Sequence, residues 1–266
     1  VVEAFKEWYL TNFKAKVKVS VSFESILDFP RTVGVGPTKF DVWWGGVLED
    51  FRDRIDFLFP YNSSAKEELF SAYPIVNGCY CGCPIMDLEE PTPRWYAWCF
   101  YSTCLIYDPE ALGDHVPKSW PELADPRLEN MVLAPTPFRL QDPFSEHIGL
   151  TILASEMWRL GNESLGWKAA WGNATVIWAI SKDLADMPWR RVLELVAGRW
   201  AAVICSDIIA YHMLIEAGYT KLRMTYINAT LLFPCPIAIL DGAENLEVAE
   251  AFVDFILSEE GQAIVA

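Results

Sequence analysis

The chain has 266 residues, 52% hydrophobic and 21% charged, which supplies a sizeable core for one large or two medium domains and is not the composition of a disordered polymer. A formal charge of −15 with a pI near 4.6, and no basic stripe, exclude a nucleic-acid surface and docking on anionic lipid. No apolar run reaches the roughly 18 residues of a membrane span, and a first residue Val1 in place of Met predicts that a signal or anchor segment has been removed.

Residues 1–13 place Val1, Ala4, Phe5, Trp8 and Tyr9 at helical spacing, and over 16–23 Val17, Val19, Val21 and Phe23 alternate as a strand. Glu24-Ser25 then opens a loop and a helix before a turn at Pro37. Phe40-Asp41-Val42-Trp43-Trp44-Gly45-Gly46 reads as a short buried strand running into a glycine turn, where positive φ and close backbone approach are permitted. In open α/β sheets ligands settle outside the carboxyl ends of strands, so Trp43, Trp44, Gly45 and Gly46 are candidate ligand residues. The indoles offer a stacking wall, but they alternate in direction, so one of the two is expected to face a ligand. A core strand with a tight turn is the alternative. The order helix–strand–helix–strand predicts an α/β fold with parallel pairing, and a start on a helix predicts an upstream strand lost from this chain.

Further on, a short helix over 47–58 is broken at Pro60-Tyr61-Asn62-Ser63-Ser64, and 66–70 is helical. Residues 77–84 form an irregular cysteine-rich loop, and 94–107 a long strand taken as a first crossover. Asp108 and Ser119 cap short helical turns, 131–134 is a buried strand, and Asp142-Pro143 starts a helix reaching Leu160. Helix over 163–171, strand over 176–180 and helix over 188–197 follow. The strand over 201–205 delivers Ser206-Asp207 to a helix, 222–239 is a second crossover, and Asn245 caps the last helix.

Seven cysteines are an odd number, so at least one thiol is free or bonded between molecules. Cys99 and Cys104 lie five apart on one strand and point to opposite faces, which predicts distant partners for them. For Cys79, Cys81 and Cys83 a structural disulfide is the expectation, with zinc and buried free thiols as alternatives; the C-x-C-x-C spacing is not the usual zinc knuckle. Asn62, Asn162, Asn173 and Asn228 each begin an N-x-S/T sequon, and with the cysteines they favour an extracytoplasmic protein.

Five stretches together resemble one family. They are Phe40 to Gly46; Leu105-Ile106-Tyr107-Asp108-Pro109-Glu110-Ala111-Leu112; Pro117-Lys118-Ser119-Trp120-Pro121-Glu122-Leu123 with Asp125-Pro126; Met131 to Pro137; and Pro236-Ile237-Ala238-Ile239-Leu240 with Ala249 to Phe255 and Ser258-Glu259-Glu260-Gly261-Gln262. In this order they resemble the extracellular solute-binding proteins of ABC importers, ferric-iron and thiamine branch. The resemblance implies an α/β, two-lobe, type II periplasmic-binding-protein-like fold with two crossover strands. One lobe would take 1–99 and 230–266, the other 100–229. It implies a monomeric, non-enzymatic receptor with no cofactor that captures a small polar solute between its lobes and delivers it to the permease subunits. Periplasmic or cell-surface placement would follow, with no nucleic-acid partner.

Ferric members of that family bind iron through adjacent tyrosines. Here the comparable strand end reads Cys205-Ser206-Asp207-Ile208-Ile209-Ala210-Tyr211-His212 and lacks the pair, so ferric iron stands as the alternative ligand. Asp207 is either a helix cap or a ligand contact suited to a cationic or hydroxyl-bearing solute. Thr136 and Arg139, with Gln141 and Asp142 at a helix start, would suit an anionic group. Trp178 and Tyr226 are aromatic candidates whose alternative is the core. Two other functions compete: an enzyme on the same scaffold, although His115, His147 and His212 are scattered, and a cysteine-bound metal protein.

Overall fold

The computed structural model describes residues 1–24, 28–72, 74–133, 143–180 and 188–265. The helices are α1 (Val2–Phe13), α2 (Phe29–Thr32), α3 (Leu48–Asp53), α4 (Lys66–Ala72), α5 (Pro109–Leu112), α6 (Trp120–Leu123), α7 (Pro143–Leu160), α8 (Glu163–Ile180), α9 (Pro188–Val196), α10 (Asp207–Tyr211), α11 (Leu246–Leu257) and α12 (Glu259–Val265). The strands are β1 (Val42–Trp44), β2 (Cys79–Tyr80), β3 (Cys83–Pro84), β4 (Tyr96–Tyr107), β5 (Val132–Leu133), β6 (Ala202–Ser206), β7 (Arg223–Thr225) and β8 (Leu232–Ile239). No helix among the described residues is long and apolar enough to cross a membrane.

The chain divides into two compact units, Val1–Phe100 with Phe233–Ala266, and Tyr101–Leu232. In the first unit the sheet order is β1-β8-β4, with β1 antiparallel to β8 in the register Val42↔Ile239, Trp43↔Ala238 and Trp44↔Ile237. Aromatic packing closes this core from both ends of the sequence. Phe5 of α1 is fully buried and meets Phe252 edge-on at 5.0 Å and Phe255 at 5.6 Å, both on α11. The Asp254 carboxylate on α11 accepts from the Ser63 Oγ (2.6 Å), the Ser64 Oγ (2.6 Å) and the Ser64 N–H (3.1 Å). The segment after Pro60 is thereby fixed. Burial, then the Asp254 charge, pushes the Tyr61 phenol above its ordinary range.

In the second unit the latter part of β4 pairs antiparallel with β6 and with β7, and β5 runs parallel to β6. β6 is buried at every position because both faces are covered. Asp108 caps α5 through its Oδ1, which accepts from the Glu110 N–H at 2.8 Å, and Ser119 caps α6. α7 and α8 pack closely along their length. The Cα of Met157 lies so near Gly166 that a Cβ built there would stand 2.4 Å away.

Several sequence expectations change: Cys79, Cys81 and Cys83 carry free thiols rather than a disulfide, and β1 pairs antiparallel with β8 rather than in parallel. Residues 16–23 are not a strand: Val21 and Phe23 are exposed and only Val17 and Val19 lean on the core. Alternation marks a face, but a strand also needs a hydrogen-bonding neighbour. Residues 176–180 belong to α8, whose Gly166, Ala170, Ala174 and Ile177 form one buried helical stripe, so tertiary packing overrides the β-branched pair Val176-Ile177. Asn245 sits before α11 without a side-chain cap; its Nδ2 instead donates to Asp41. Among the sequons, Asn62, Asn162 and Asn228 are exposed, whereas the Asn173 amide nitrogen is buried.

Candidate ligand-binding site

β1 ends in a turn that only glycine adopts without strain: φ is 89° at Gly45 and 116° at Gly46. The Gly45 N–H donates to the Pro236 carbonyl at 2.9 Å, which holds the turn against β8. A Cβ at Gly46 would make only ordinary contacts, 3.6 Å from Phe51 and from the Trp43 indole nitrogen, so backbone conformation and not crowding requires glycine there.

The two indoles separate as a strand demands. Trp43 is buried, stacked on Phe51 with ring centroids 3.9 Å apart and edge-on to Phe29 at 5.4 Å. Trp44 is half-buried and meets Trp98 at 5.3 Å and Phe252 at 5.5 Å. Beside this turn lies an open concavity of about 230 Å³ within the first unit. Phe23, Phe29, Phe40 and Trp43 line it with Trp44, Gly45 and Gly46, and Ser22, Glu24 and Asp50 supply its polar lining. It is aromatic and acidic, with no Lys or Arg among the described residues that line it. Such a lining suits a cation or a hydroxyl-bearing ring.

In the second unit β6 delivers Asp207 to the start of α10. Its Oδ1 accepts from the Ser102 N–H (3.0 Å) and the Ile208 N–H (2.9 Å), and its Oδ2 accepts from the Tyr226 hydroxyl (3.0 Å). Ser102 Oγ, 4% exposed at the residue level, donates to the Leu231 carbonyl at 2.7 Å and lies 2.6 Å from the Thr230 hydroxyl. The carboxylate is therefore held by two backbone N–H groups and one phenol. Partial burial, then the Asp207 charge, pushes the Tyr226 phenol up to about 12. Among the described residues no three His, Cys, Asp or Glu side chains gather as a metal set.

Of the residues singled out in the sequence, Trp43, Trp44, Gly45 and Gly46 line one concavity, and Asp207 and Tyr226 are hydrogen-bonded. Trp178 lies on the outer face of α8, 61% exposed, rather than on a strand. Thr136, Arg139, Gln141 and Asp142 lie outside the described residues. His212 is exposed and pairs with Glu216 one helical turn on. Sequence reasoning missed Phe29, Asp50 and Ser102. Asp50 had a signal, an acidic residue in the first turn of the helix after the glycine turn; Ser102, inside an apolar strand, had none.

Residues 69–183 match the family model of bacterial extracellular solute-binding proteins. No curated protein matches the chain in sequence. Among solved structures, a ferric binding protein from Campylobacter jejuni superposes with a TM-score of 0.71 at 16% identity, covering 99% of this chain and 79% of its own. Iron-bound HitA from Pseudomonas aeruginosa gives 0.69 at 16% identity, with 99% and 79% covered. The periplasmic binding protein AfuA from Actinobacillus pleuropneumoniae, bound to fructose-6-phosphate, gives 0.68 at 19% identity, with 98% and 76% covered. The fold is thus the α/β fold of periplasmic binding proteins.

Proposed function

We propose that the chain is a bacterial extracellular solute-binding protein, the capture subunit of an ABC importer for a small cationic or polyhydroxylated solute. It binds its cargo without transforming it, as a monomer outside the cytoplasm, and hands it to the permease subunits. The observation that carries the choice of cargo is the concavity beside β1, aromatic on one side and lined by Glu24 and Asp50. An organic cation gains from ring faces and carboxylates together, and a sugar ring gains from stacking plus acceptors for its hydroxyls. The fold does not make this choice, since its relatives hold ligands as different as iron and fructose-6-phosphate.

A thermal-shift panel on ligand-stripped protein tests the proposal, with thiamine, polyamines, neutral sugars, sugar phosphates and ferric citrate. A solute at 100 times its dissociation constant adds about 2.7 kcal/mol of stability. A cation or neutral sugar should give the shift and lose it in Glu24→Gln and Asp50→Asn. A shift confined to sugar phosphates would overturn the choice of cargo.

Ferric iron is the second reading, favoured by the Asp207 carboxylate and the Tyr226 phenol standing 3.0 Å apart as two hard oxygen donors. The ion would displace the phenol proton, since a bound cation lowers the pKa of its ligands. Titration with ferric citrate should then develop tyrosinate-to-iron colour that Tyr226→Phe abolishes. A colourless titration rejects it.

A further inference from the structure

β4 and β6 each carry a cysteine at directly opposed positions, Cys104 and Cys205. Opposed residues of an antiparallel pair have Cα atoms about 4.5–5.5 Å apart, inside the span of about 4.4–6.8 Å that disulfides bridge. The two sulfurs already lie 3.9 Å apart, against about 2.05 Å in a bond. Both side chains point to the same face, as opposed residues must, so side-chain rotation supplies the remaining approach. The pair is sealed: Cys104 is 1% exposed and Cys205 0%, among Ile106, Val192, Val203 and Met213.

We infer that Cys104 and Cys205 are joined by a disulfide, made in the oxidising extracytoplasmic compartment by exchange with a small-molecule or protein disulfide. The thiolate of one cysteine attacks the oxidant's S–S bond, releasing one thiol and leaving a mixed disulfide. The second cysteine's thiolate attacks the protein sulfur of that bond and expels the oxidant's other thiol. Two protein thiols lose two electrons and two protons, and the oxidant's S–S bond takes them up as two thiols.

Burial dictates when this happens. In the folded protein no oxidant reaches either sulfur, and the contact with Cys205, burial and the Asp207 charge hold the Cys104 thiol well above its ordinary range. The exchange therefore belongs to the chain before β4 and β6 have packed. Once formed, the bond is equally hidden from reductants. It closes a loop that contains most of the second unit and clamps β6 two residues before Asp207. The inference stands on the second unit alone and is independent of which solute is bound.

Peptide mapping of the whole chain tests it. The protein is refolded with oxidised glutathione, unfolded with an alkylating agent and without reductant, digested and weighed. The peptides bearing 104 and 205 should appear joined, lighter by two hydrogens than their sum, and should separate on reduction. Separate alkylation of both, or linkage of either to another cysteine, overturns the inference. Melting offers a second readout that needs no digestion. Unfolding in strong reductant should lower Tm by roughly 5–10 °C, and in Cys104→Ala/Cys205→Ala most of that drop should vanish. A drop of full size in the double variant overturns it as well.

Discussion

The Tyr226 hydroxyl donates to Asp207 Oδ2 at 3.0 Å while Oδ1 of the same carboxylate is held by the backbone N–H groups of Ser102 and Ile208. The carboxylate is thus anchored through one oxygen and offered through the other. Asp207→Ala would leave the Ser102 N–H without its acceptor beside a buried strand, a loss of about 1–3 kcal/mol. Tyr226→Phe removes one hydrogen bond from a half-exposed ring and should cost no more than about 1 kcal/mol. Chemical denaturation of both variants checks the order, and an equal cost for the two would contradict this anchoring.

Alkaline titration separates the same pair. The Tyr226 phenol stands at about 12 in the folded chain against an ordinary value of 10.0. A raised folded value favours the protonated form, so the contribution to stability is complete below pH 10 and fades as pH rises toward 12. Ultraviolet titration should show a phenolate step near pH 12, distinct from the also raised steps of Tyr61 and Tyr96, that disappears in Tyr226→Phe, and that variant should lose less stability than wild type across the interval. Identical alkaline profiles would refute the shift.

Gly166 is the position where helix propensity and packing oppose each other. Alanine in an exposed helix interior gains about 1 kcal/mol over glycine. Here the added methyl would press on the α7 backbone at Met157, 2.4 Å away, and overpacking costs about 1–3 kcal/mol. Gly166→Ala should therefore destabilise, whereas Gly172→Ala, with nothing within 4 Å, should stabilise. Thermal melts of the two variants moving in the same direction would defeat the argument.

Asp254→Ala removes the acceptor for both serine hydroxyls and for the Ser64 N–H at once. Hydrogen bonds to a charged group contribute about 1.5–3 kcal/mol each and are not additive. A total loss of about 2–4 kcal/mol is expected, with Asp254→Asn intermediate because one oxygen remains. Hydrogen exchange should show the segment around Ser63 losing protection first.

The elements most legible in the sequence were those whose cause is local. β4 showed as a long run of aromatic and β-branched residues, α11 as an apolar stripe, and the turn at Gly45-Gly46 as paired glycines after a strand. The elements misread were those decided at a distance. Val176 and Ile177 favour a strand until Gly166, Ala170 and Ala174 are seen to seat the helix on a neighbour. The concavity was half visible for the same reason. Trp43, Trp44 and the glycines lie in one stretch and Asp50 follows in the first turn of the next helix, while Phe29 reaches it from a preceding helix with no pattern linking it to β1. That Asp207 and Tyr226 both deserved notice was readable from the sequence; that they touch required the strand register that brings β7 alongside β4.

The discontinuity of the first unit sets a timetable. Val42 has its ladder partner in Ile239, and Phe5 finds Phe252 and Phe255 only near the end of the chain, so this unit stays open until the final helices exist. The second unit is one unbroken stretch and has all its own partners much sooner. A chain that emerges from its amino end therefore completes its middle first and its beginning last. Its early residues Phe5 and Trp8, whose partners Phe252 and Phe255 lie on α11, wait without those partners through most of synthesis, which makes them the stretch for holding chaperones to shield.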